Sequence, residues 1–142
     1  MPKRTQLSIA MKNEVGGLCR LCGLLARAEV NIMGLSIEDC TDEGFVRLII
    51  DEPKKAAKTL DAAKIAHRSQ EILLLELENE PGALQRISAR LADAGINIFY
   101  AYGTADLHGR GGALVLRVSE LDRAVAVLEA GAAGEMPPAG PK

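Results

Sequence analysis

Hydrophobic positions along the chain fall into two kinds of run, and the runs recur in the same order. From Thr5 to Lys12, Leu7, Ile9 and Met11 alternate with polar or small residues. That period of two predicts a half-buried strand. Leu73 to Glu78 repeats it through Leu73, Leu75 and Leu77. A helical spacing follows each strand: Leu18, Leu21, Leu25 and Ala28 in the first case, Leu84, Ile87, Leu91 and Ala94 in the second. Pro81 suits the first turn of that second helix, where a missing N–H costs nothing. Second strands are expected from Val30 to Cys40 and from Ile96 to Ala105. Turns at Thr41–Gly44 and His108–Gly112 lead into third strands, Phe45 to Ile50 and Ala113 to Val118. Further helices fit Lys54 to Lys64 and Leu121 to Ala130, and a fourth strand fits Ile65 to Ser69, with only a weak counterpart after Ala130.

The recurrence is a duplication. Asn13-Glu14-Val15-Gly16-Gly17-Leu18 is answered 66 positions later by Asn79-Glu80-Pro81-Gly82-Ala83-Leu84. The same offset pairs Arg20 with Arg86, Leu25 with Leu91, Asn31 with Asn97 and Ile32 with Ile98, and about half the positions from 13 to 32 are identical. Downstream the register slips by two, so that Gly44-Phe45-Val46 matches Gly112-Ala113-Leu114.

Each copy reads βαββαβ, the ferredoxin-like order. A unit of about 65 residues buries only about 60% of its unfolded surface and leaves sheet edges open. The expected class is α+β: two ferredoxin-like units packed side by side, with antiparallel sheets and helices on one face. The first unit should span 1–69 and the second 70–130, with a flexible tail over the Gly- and Pro-rich 131–142.

Composition narrows the function. Of 142 residues, 17 are basic and 19 acidic, for a net charge of −2, and aromatics make up 3% with no Trp. Nucleic-acid binding calls for a basic surface or stacking rings, and neither is present. No apolar run reaches the roughly 18 residues of a membrane span. Three cysteines and no signal-peptide pattern point to reduced thiols and a cytoplasmic protein.

Two stretches could carry recognition chemistry. The strand-to-helix loops place Asn and glycine ahead of a helix start, whose unpaired amides and partial positive charge can hold a carboxylate. Asn can serve as donor or acceptor toward a zwitterion; equally, Asn and Gly make an ordinary helix cap. Asn31 and Asn97 open the second strands, where Asn is disfavoured. They point at something polar or form left-handed turns. Tyr100 and Tyr102 share one strand face, Asn97 and Phe99 the other, and core packing is the expected role of both tyrosines.

The duplicated βαββαβ order, with Asn-Glu-x-Gly-x-Leu after the first strand and Asn-Ile at the second, resembles the ACT domain family over about residues 5 to 130. The resemblance implies a stand-alone, non-enzymatic regulatory protein that binds a small amino acid where two ACT units meet, with no cofactor. It implies a homodimer and a partner, such as a regulated enzyme of amino-acid metabolism. In such pairs the loop of one unit and the second strand of its neighbour form the pocket. Asn79, Glu80, Gly82, Ala83 and Leu84 would then face the ligand opposite Asn31 and Ile32. Asn13, Gly16, Gly17 and Leu18 with Asn97 and Ile98 would form the pseudo-symmetric site. Some serine-binding members carry His two residues before the loop Asn; Met11 and Leu77 stand there in this chain, so the ligand stays open.

Rival readings rest on other residues. Cys19-Arg20-Leu21-Cys22 is a C-x-x-C inside the first helix, as in ferredoxin-like soft-metal carriers. The second copy has Gln85 and Ser88 there, and a zinc site would need two more ligands from Cys40, His67 and His108. A purely structural dimerisation module is the third option. For catalysis there is little: His67 and His108 are expected as solvated surface residues outside any triad, and no Walker or G-x-G-x-x-G motif occurs.

Overall fold

A computed structural model describes residues 3–12, 14–40, 43–105 and 111–133. Its elements are β1 (Lys3–Lys12), α1 (Gly17–Arg27), β2 (Ile32–Cys40), β3 (Glu43–Ile50), α2 (Pro53–Ala62), β4 (His67–Leu77), α3 (Ala83–Asp93), β5 (Ile98–Ala105), β6 (Gly112–Val118) and α4 (Leu121–Ala133). They divide into two compact units, one built on Thr5–Gln70 and the other on Glu71 onward with Lys3 and Arg4.

In the first unit the strand order is β4-β1-β3-β2, with His67–Gln70 supplying the β4 part. β3 pairs antiparallel with both β1 and β2. Leu7 and Ile9 stand opposite Leu48 and Val46 on the face that meets the helices. α1 buries Gly17, Leu21 and Leu25 at a spacing of four, and α2 adds Ala56 and Leu60. Each fully buried leucine is worth about 1.5–3 kcal/mol over an exposed one. Leu18, expected on the α1 stripe, is only half-buried, because the contact face runs through Gly17 instead.

The second unit has the order β4-β6-β5. Its core joins Leu73, Leu114, Leu116 and Val118 to Ile87 and Leu91 of α3 and to Ala124 and Val125 of α4. The α3 contact face is Ala83, Ile87 and Leu91; Leu84 points outward. No strand follows α4 among the described residues. The start of β1 belongs to this unit instead, and the Lys3 ammonium donates to Asp122 Oδ1 at 2.7 Å and lies 3.8 Å from Glu71. The bond to Asp122 raises the lysine's pKa.

Several expectations shift. The fourth strand of the first copy and the first strand of the second are one continuous strand, β4. Nothing in Ile65–Glu78 breaks a strand: it contains neither Gly nor Pro. α4 continues through Ala133, past the expected end at Ala130; residues 134–142 of the expected tail lie outside the described residues.

Helix ends explain why β2 and β5 begin late. Val30 N–H donates to Leu25 at 2.9 Å across left-handed Glu29, and Ile96 N–H to Leu91 at 2.9 Å across left-handed Gly95. These are Schellman closures, in which the apolar residue after the turn also packs on the core. α2 ends the same way, with Ile65 donating to Leu60 across Lys64.

Candidate functional site

The two strand-to-helix loops fold into the same turn. Gly17 N–H donates to the Glu14 carbonyl at 3.2 Å, and Ala83 N–H to the Glu80 carbonyl at 3.3 Å. The third residue of each turn is glycine in the left-handed region, Gly16 at φ 85°, ψ −3° and Gly82 at φ 89°, ψ −7°. These are the angles of a type II turn, which favours proline one place earlier and glycine here. Pro81 therefore sits in the turn before the N-cap, not in the first helical turn. Val15 is its counterpart, 99% exposed.

Gly16 and Gly82 are the N-caps of α1 and α3, and neither helix start receives a side-chain cap. The expected Asn cap is thus not formed at Asn79, which is exposed; Asn13 lies outside the described residues. Across each turn a carboxylate is clamped by an arginine of the following helix. Glu14 Oε1 accepts from Arg20 at 2.7 Å, and Glu80 Oε1 from Arg86 at 2.5 Å. The role of Arg20 and Arg86 was not foreseen, although their identity across the 66-residue offset was its signal. Gly17 and Ala83 are buried at the helix starts, whereas Leu18 is half-buried and Leu84 is open to solvent.

Asn31 and Asn97 close the far ends of the sheets through their backbones. Asn31 N–H donates to Asp51 Oδ1 at 2.9 Å, and Asp51 N–H returns to the Asn31 carbonyl at 3.2 Å. Asn97 N–H donates to Ser119 Oγ at 3.0 Å, and Ser119 N–H returns at 2.9 Å. Neither asparagine is left-handed; the preceding turns use Glu29 and Gly95 for that. Their side chains are exposed. Ile32 and Ile98 pack against their own cores, and each is followed by a bulge that leaves Met33 or Phe99 outward.

Within a unit these segments do not meet. In the first, β1 and β2 both run antiparallel to β3, so the end of β1 and the start of β2 lie at opposite ends of the sheet. α1 spans the gap: 11 residues, about 16 Å. A pocket that uses a turn and a second-strand start must take them from different units.

Tyr100 and Tyr102 stack with ring centroids 6.4 Å apart. They stand opposite Arg117 and Val115, on the sheet face away from Leu114, Leu116 and Val118, so they are not part of the helix-side core. Arg117 lies over the Phe99 ring at 5.8 Å. His67 is not the solvated residue expected: its side chain is 15% exposed and its Nε2 is 2.7 Å from Asp61. His108 lies outside the described residues. Cys19 is exposed and Cys22 half-buried, both as free thiols. Among the described residues, no three His, Cys, Asp or Glu side chains gather where they could hold a metal ion.

The family model for the ACT domain pair matches residues 3–131. This chain belongs to that family. Among solved structures, the ACT pair is similar to a protein of Bacteroides thetaiotaomicron at 30% identity and TM-score 0.87, covering 92% of this chain and 90% of that one. It shares the fold of the aspartate kinase regulatory subunit of Thermus thermophilus at 11% identity and TM-score 0.64, over 89% and 91% of the two chains. The Thermus flavus regulatory subunit gives 12% identity and TM-score 0.60, over 92% and 94%. No curated protein matches the sequence. No helix among the described residues of the ACT pair is long and apolar enough to cross a membrane.

Proposed function

We propose that this ACT pair is a non-enzymatic cytoplasmic regulator that binds a small amino acid and passes its state to a partner protein. The observation that carries the reading is the twin turn: two uncapped helix starts, each behind a left-handed glycine and beside an arginine-clamped glutamate. The Gly17 and Ala83 amides close the turns, and the next amides of the first helical turn together with the helix dipole favour a carboxylate at that place. Asn79 would supply a side-chain partner there, and the exposed Asn31 and Asn97 would supply them from the facing unit. Asn79, Glu80, Gly82, Ala83 and Leu84 of one unit would meet Asn31 and Ile32 of the other. Asn13, Gly16, Gly17 and Leu18 would meet Asn97 and Ile98.

The facing unit belongs to a second copy of the chain. β2 ends the first unit's strand order and β5 the second's, and they leave Met33, Leu35, Ile37 and Phe99 exposed. An apolar edge of that kind is a surface for pairing. An antiparallel meeting of edges would set the turn of one unit beside the second-strand start of the other. Binding would then favour the paired state to the extent that the ligand prefers it.

Solved structures with the same fold include regulatory subunits of aspartate kinase, which supports an enzyme of amino-acid metabolism as the partner. A thermal-shift panel of the twenty amino acids, with Zn(II) and Cu(I) as controls, tests the reading. A ligand at about 100 times its Kd adds about 2.7 kcal/mol and should raise Tm by about 5–10 °C. A response to metal alone, abolished by Cys19→Ser and Cys22→Ser, would overturn it.

A further inference from the structure

The first unit holds a cavity on the sheet face opposite its helices. Leu7 and Ile9 face the core, so Ser8 and Ala10 face away from it, opposite Arg47 and Phe45. A cavity of about 360 Å³ opens here, lined by these four residues with Ala66, His67, Arg68 and Gln70. Its volume is at the lower end of small-molecule sites.

The lining joins cationic donors to a short apolar floor. The Arg47 side chain is only 16% exposed and is held by the Glu38 carboxylate. Ser8 Oγ and Gln6 Nε2 both donate to Gln70 Oε1, each at 3.1 Å, which fixes that amide at the cavity wall. Asp61 takes the His67 ring from the helix side. Arg47 is paired with Glu38, and Arg68 adds a second guanidinium to the lining from an exposed position. Ala10, Phe45 and Ala66 supply the apolar surface.

The duplication shows that the fold does not need this set. Ser8 opposite Arg47 becomes Leu74 opposite Val115 in the second unit, and Ala10 opposite Phe45 becomes Glu76 opposite Ala113. The same two strands pair in the same register with a valine where the first unit buries a guanidinium. Desolvating a guanidinium is costly, and a valine at that place removes the cost.

We propose that this open-face cavity is a binding site for a small monocarboxylate with a short apolar body. Arg47 and Arg68 bind the carboxylate, Ser8 and Gln70 orient it, and Phe45 with the two alanines takes the carbon chain. Ligand and Glu38 compete for Arg47. The site is separate from the helix-start turns and does not depend on the amino-acid reading.

The test is an amide-resolved NMR titration of the full chain with sodium butyrate, beside inorganic phosphate and n-butylammonium chloride. The expected result is saturable shifts at Ser8, Ala10, Arg47 and Gln70 with butyrate. A lost charge-assisted contact should weaken binding about tenfold in Arg47→Val and in the exposed-site variant Arg68→Gln. Glu38→Gln should tighten it, and Asn79→Ala and Asn97→Ala should leave it unchanged. Absence of saturable shifts, equal binding of phosphate or butylammonium, or an affinity unchanged in both arginine variants would overturn the proposal. Because butyrate lacks an ammonium group, failure here leaves the amino-acid site untouched.

Discussion

Val15→Pro should stabilise the protein. Val15 occupies the second position of a type II turn whose twin already carries Pro81 there. The side chain is 99% exposed, so its replacement forfeits no packing. The turn's own bond, from Gly17 N–H to the Glu14 carbonyl at 3.2 Å, does not use the Val15 amide. Glu80 shows that the residue before the proline can hold the backbone and still pair with its arginine. Proline at a compatible position stiffens the unfolded chain and gains about 0.4–1 kcal/mol. With a urea slope of about 2 kcal/mol/M, the midpoint should rise by about 0.2–0.5 M at unchanged slope. Gly16→Ala is the counter-test. It forces a side chain into φ 85°, at a cost of about 1–2 kcal/mol, while its methyl meets only the mobile end of Arg20 at 3.2 Å. Urea unfolding followed by circular dichroism reads both. A Val15→Pro midpoint at or below wild type, with Gly16→Ala neutral, would refute the shared turn.

Other substitutions follow the same geometry. Asp51→Ala and Ser119→Ala each lose the side-chain acceptor for the Asn31 or Asn97 amide and should cost about 0.5–1.5 kcal/mol in the same unfolding assay. Asn31→Ala and Asn97→Ala leave those backbone bonds intact and should stay within about 0.5 kcal/mol of wild type. Gly103→Ala puts its methyl 2.4 Å from the Ala113 carbonyl oxygen, a backbone atom that cannot swing away, and should cost about 1–3 kcal/mol or more by denaturation. The pKa of Lys3 is raised by Asp122, so its contribution to stability is complete below the ordinary lysine value of 10.5 and fades as pH climbs through the raised one. Lys3→Met should therefore flatten the alkaline limb of a stability–pH profile and leave the acid limb unchanged.

The duplication made most of the fold legible, because the 66-residue offset carries the turn, the helix face and the second-strand start together. Its slip of two reappears in three dimensions, where Ser119 does for Asn97 what Asp51 does for Asn31. What stayed hidden depends on neighbours rather than on local pattern. A strand shared between two units has the same alternation as two strands in succession, so β4 could not be read as one. The bulges that push out Met33 and Phe99 arise from pairing with β3 and β6. Leu84 follows the helical period but faces solvent, because Ala83 is the residue that meets the core. The Arg47 cavity draws on β1, β3 and β4, and no spacing along one segment signals that convergence.

The central claim is that an amino acid sits on the helix-start turns opposite the second-strand asparagines. NMR titration of the full chain with each of the twenty amino acids tests it most directly. The account predicts that one amino acid, or one related group, gives saturable shifts at the Gly16, Gly17, Gly82 and Ala83 amides and at Ile32 and Ile98. Asn79→Ala and Asn97→Ala should remove those shifts without unfolding the chain. Saturable binding mapped elsewhere, or silence at these amides with all twenty, would contradict it.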